Sequence, residues 1–87
     1  MYKGVTESGF EFEIDEEEIN DIEFVELVAA AEKDLAQFPA VLDRLLGKEQ
    51  KKRLYDHLRN ENGHVPWTKV EAEVHEMEEL AGKDVKN

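Results

Sequence analysis

Five acidic residues, Asp15, Glu17, Asp21, Glu23 and Glu26, fall at positions one, three, seven, nine and twelve of an oxygen-rich loop, the positions from which such loops hold calcium. The match fails where geometry is most demanding. Position five is Ile19, and position six is Asn20 instead of the glycine needed for a sharp turn. A helical apolar rhythm also already runs through Glu26. Solvated acids at a helix start, where the backbone dipole is positive, account for the run more simply. His57, His64 and His75 are of a type that serves as metal ligand or proton shuttle, but none has a recognisable ligand spacing. His75 and Glu79 share a helix face and underfill the four-coordinate shell of zinc. Besides the tyrosines the hydroxyls are Thr6, Ser8 and Thr68, none in a nucleophile elbow. No catalytic, metal or cofactor-binding residue is therefore assigned, and no enzyme is expected.

Composition narrows the remaining classes. The chain has 87 residues, a length suited to one domain spanning 1–87. Hydrophobic residues make up 40% and charged residues 38%, and both are periodic, as a folded core requires. The formal net charge of −11 is uneven: −10 over 1–42, +3 over 43–59 and −4 over 60–87. Nucleic-acid binding rests on clustered Lys and Arg, so none is expected. The basic stretch KEQKKR could clamp phosphate. The following helix PWTKVEAEVHEMEELA, with five glutamates and one lysine, would be repelled from a major groove. Cysteine is absent, and no run approaches a membrane span or a signal peptide, so no membrane partner and an intracellular setting are expected.

The elements that position these residues follow from periodicity. YKGVTESGFEFEI alternates as a β-hairpin over 1–14, with Phe10, Phe12 and Ile14 on one face and the turn near Glu7-Ser8-Gly9. A bundle of helices over 20–81 follows. The first helix starts at Asn20 with Glu23 reaching back, and carries Phe24, Val28, Ala31, Leu35 and Phe38 until Pro39 stops it. A short second helix buries Val41, Leu42, Leu45 and Leu46 and ends at Gly47. A third buries Leu54, Tyr55 and Leu58 and ends at Asn62-Gly63. Pro66 opens a fourth, with Trp67, Val70, Val74, Met77 and Ala81 in one seam, closed by Gly82 before a flexible tail at 82–87. The fold class is thus mainly α (α+β): an N-terminal β-hairpin followed by a bundle of about four short helices. The seam either closes the interior or meets a partner. Core packing is the simpler account of Trp67, and Phe38, Trp67, Val70, Val74 and Met77 are the candidate partner-binding residues.

The order FEFEID, FPAVLDRLLGKEQKKRLYDHL, NGHVPWTKVEAEVHEMEEL and KDVKN resembles the short tail assembly chaperones of long-tailed bacteriophages, encoded upstream of the tape measure protein. The resemblance spans nearly the whole chain, and LLGKEQ and NGHVPW are its most distinctive parts. It implies a non-enzymatic role: several copies, as a homo-oligomer, cover the helical, aggregation-prone tape measure protein until tail-tube subunits polymerise around it. It further implies the cytoplasm of the bacterial host, absence from the mature virion, and a longer frameshifted form that recruits the tail-tube protein. The closing Val85-Lys86-Asn87 is compatible with a slippery message. The alternative is an acidic phage or prophage inhibitor that presents Glu16, Glu17 and Glu18 to a basic host protein.

Overall fold

The structure, a computed structural model, describes residues 1–85. It is the expected class: a two-stranded antiparallel hairpin, β1 (Tyr2–Val5) and β2 (Glu11–Ile14), then four helices, α1 (Glu16–Ile19), α2 (Ile22–Lys33), α3 (Phe38–Leu58) and α4 (Trp67–Val85), with a 3₁₀ turn Leu35–Gln37 between α2 and α3.

Alternation decides the hairpin. Tyr2 pairs with Ile14, Lys3 with Glu13, Gly4 with Phe12 and Val5 with Glu11. Phe10, Phe12 and Ile14 are buried while Glu11 and Glu13 face water. The connection 6–10 closes as a tight turn: Gly9 N–H donates to the Thr6 carbonyl at 2.9 Å, and Gly9 takes φ 92°, a conformation that favours glycine. Gly4 is required for a different reason. A Cβ there would stand 2.8 Å from Tyr2 Cε2 and 2.9 Å from Phe12 Cζ, because those rings close over the strand.

A lone hairpin is marginal in water, and here both its face and one edge are covered. The Gln50 amide of α3 acts as a third strand toward β2, accepting from Glu13 N–H at 2.8 Å and donating to the Glu13 carbonyl at 2.9 Å. The turn is tied to α4. The Thr6 and Ser8 hydroxyls each donate to Glu73 Oε1 at 2.9 Å, and Glu7 N–H donates to Glu76 Oε2 at 2.7 Å.

Three aspartates start the helical segments, each accepting from the N–H two residues on: Asp15 from Glu17 at 2.9 Å, Asp21 from Glu23 at 2.7 Å and Asp34 from Ala36 at 3.1 Å. This corrects three sequence expectations. The cap of the first long helix is Asp21, not Asn20, since a carboxylate accepts more strongly and answers the dipole; Asn20 instead ends the extra turn α1. The apolar stripe is not one helix through Phe38, because Asp34 turns extended at φ −138° and recaps. Pro39 therefore stops nothing; it lies in the first turn of α3, where its missing N–H costs no bond.

Gly47, at φ 78° and ψ 164°, breaks α3 into arms 38–46 and 48–58, as its reading as a terminator requires. Val41, Leu42, Leu45 and Leu46 are buried from the first arm and Leu54 from the second. The second arm ends at Leu58, short of Asn62-Gly63, which forms a separate turn with Gly63 at φ 84°. In that turn Asn60 Oδ1 accepts from His64 N–H at 3.0 Å, as Thr6 Oγ1 accepts from Phe10 N–H at 3.2 Å in the hairpin loop. Helix α4 buries Val70, Val74, Met77 and Ala81 and continues through Gly82 to Val85. Gly82 is thus a helical residue and not a stop, at the modest cost of glycine within a helix. Of the expected tail at 82–87, residues 82–85 are helical, and Lys86 and Asn87 lie outside the described residues. No helix among the described residues is long and apolar enough to cross a membrane.

Candidate partner-docking surface

One constellation joins residue types that could do chemistry. Ser8 Oγ lies 3.0 Å from His57 Nε2 and 2.9 Å from Glu73 Oε1. A hydrolytic triad needs the acid on the imidazole, orienting it to take the serine proton. Here the acid accepts from the serine itself and from Thr6, so the imidazole Nε2–H donates to Ser8 Oγ. This arrangement fastens the hairpin to α3 and α4. Of the five positions weighed for calcium, Asp15 and Asp21 cap helices. No group of His, Cys, Asp or Glu among the described residues could hold a metal ion.

The surface feature with a shape is apolar. Asp34 ends α2 and sets Leu35 on a short turn, Pro39 fixes the start of α3 just after Phe38, and Pro66 leads into α4 at Trp67. These three helix ends meet. Leu35, Phe38, Pro39, Tyr55, Val65 and Trp67 wall a hollow of about 260 Å³ floored by Leu42 and Val70. Trp67 is 49% exposed and Leu35 48% exposed, so both present apolar surface to solvent. This corrects the expectation that Trp67 is core: at the first position of α4 it lies beyond the layer that Val70 begins.

A second, narrower hollow of about 40 Å³ adjoins the first. Leu35 and Phe38 line both. Val28, Ala31, Val41 and Val74 form its apolar part, and Glu32 of α2 with Glu71, His75 and Glu78 of α4 form its polar part. Burial pushes the Glu78 carboxyl above its ordinary value; His75 opposes the shift and Glu32 adds to it by like-charge repulsion.

Of the five candidate residues, Phe38 and Trp67 stand at the surface of the wide hollow, Val70 lies beneath it and Val74 beneath the narrow one. Met77 is fully buried and lines neither. Periodicity did not single out Tyr55 and Val65 as walls or Glu32, Glu71 and Glu78 as rim. The available signal was Asp34, a strong cap directly before LAQFP, which implies a chain break that turns Leu35 outward. Comparisons of the chain with family models, with curated proteins and with solved structures found no match.

Proposed function

We propose that the protein is a non-enzymatic tail assembly chaperone that binds and solubilises a helical tape measure protein, acting in the cytoplasm of the bacterial host and leaving before the virion matures. The observation that carries this reading is the wide hollow with Trp67 and Leu35 half exposed at its rim, in a chain of net charge −11. An apolar helix stripe is covered by such a groove, and the acidic exterior keeps the covered chain in solution by repulsion. Weak sites on several copies gain avidity along one partner and still release one by one. The sequence resemblance supports the same role and adds the longer frameshifted form and the tail-tube protein.

The inhibitor alternative has less support. Of its three carboxylates, Glu16 pairs with the N-terminal ammonium at 2.9 Å and Glu18 pairs with Arg44. Co-expression with a tape measure protein of a long-tailed phage tests the proposal. Soluble yield is expected to rise with the wild-type chain and to fall back with Trp67→Ala; an equal yield with and without the chain rejects it. If neutralising Glu16, Glu17 and Glu18 abolishes binding while Trp67→Ala does not, the inhibitor reading replaces it.

A further inference from the structure

The two hollows differ in size and charge, and that difference bears on what fills them. We propose that they form one groove for a single amphipathic helix of a partner protein, whose apolar stripe is flanked on one side by Lys or Arg. This rests on the docking reading above and specifies the partner's chemistry and orientation.

Leu35 and Phe38 belong to both hollows, so an occupant of one alone leaves these side chains half wet. Side chains three or four apart on a helix lie about 5–6 Å apart, which lets neighbouring anchors enter adjacent hollows. The wide hollow has no charged residue in its wall and suits a large apolar anchor. The narrow one has room for the tip of one side chain, with an apolar wall for a methylene stem and carboxylates around its polar side.

Charge sets the orientation. Glu32, Glu71 and Glu78 come from two helices, and none makes an ion pair among the described residues. Elsewhere the chain does pair its acids: Glu18 with Arg44, Asp43 with Lys51 at 2.7 Å, and Asp56 with Lys52 and Arg59 at 3.1 Å each. The fold thus gathers three acids beside an apolar opening, with the His75 imidazole among them. A basic flank laid over the narrow hollow removes that repulsion, while the opposite orientation sets the base over an uncharged wall.

Two synthetic amphipathic helices of about 20 residues, with one Leu/Phe stripe and either a Lys or a Gln flank, provide the probes. Trp67 is the only tryptophan, so its emission reports docking at the wide hollow. The Lys peptide is expected to shift the emission to the blue and to bind about tenfold tighter than the Gln peptide at low salt. In the variant E32Q/E71Q/E78Q, checked for native circular dichroism, that preference is expected to vanish while the Gln peptide binds as before. Equal binding of both peptides to the wild type overturns the inference and leaves docking intact. Emission unchanged by either peptide overturns both. Reversible self-association in sedimentation that quenches peptide binding assigns the groove to a second copy and overturns the inference as well.

Discussion

Trp67 and Met77 share a helix and an apolar character, yet one stands in solvent and the other is fully enclosed. Met77→Ala leaves a cavity in a close-packed core and is expected to cost about 2–5 kcal/mol in urea unfolding. Trp67→Ala is expected to change stability by under about 1 kcal/mol, because half of the ring never leaves water. Glu78 offers a pH test. Burial raises its carboxyl in the folded state, so the fold takes up that proton more readily than the unfolded chain. The stability gained is complete below the ordinary carboxylate range and is lost as pH rises through the folded value. Glu78→Gln is therefore expected to melt higher than wild type at neutral pH, and the gap should close in acid. Asp56, lowered by Lys52 and Arg59, works the other way: its contribution is present at neutral pH and lost as pH falls through its depressed value.

The aspartate caps act at the scale of the element. Asp21→Ala is expected to cost about 1 kcal/mol, and Asn20→Ala a few tenths, in thermal or urea unfolding. Equal losses would return the cap to Asn20. Sequence reading placed the hairpin well because alternation there has a period that only a half-buried strand satisfies. It placed the break at Gly47 and the seam of α4 for similar reasons. It misplaced the first cap because Asn20 and Asp21 are adjacent and both are good caps, and hydrogen-bond geometry alone separates them. It misread Gly82 because glycine marks a helix end only when nothing beyond it favours another turn. Leu35 escaped it for a related reason: a spacing of four from Ala31 suggests one stripe, although Asp34 has already redirected the chain.

At the scale of the molecule, charge is the dominant surface property. The pairs Lys3–Glu13, Lys52–Asp56 and Arg59–Asp56 are largely exposed and are each worth little in water. Repulsion among 22 acids opposed by 11 bases is the larger effect. Added sodium chloride is therefore expected to raise the melting temperature at neutral pH; a fall would show that the pairs outweigh the repulsion. The candidate docking surface was legible only in part. Trp67 could be nominated from its position at a helix start and Phe38 from the apolar stripe of the first expected helix, whereas the hollows arise from three helix ends that meet only in tertiary packing.

The ties from the hairpin turn to Glu73 and Glu76 also bear on synthesis from the ribosome. The hairpin is translated before α4, which holds the partners of Thr6, Ser8 and Glu7. Until α4 emerges, the Thr6 and Ser8 hydroxyls and the Glu7 N–H lack these partners. Glu11 and Glu13, exposed in β2, put like charges on that strand meanwhile, and charge on a strand disfavours edge-to-edge pairing between copies.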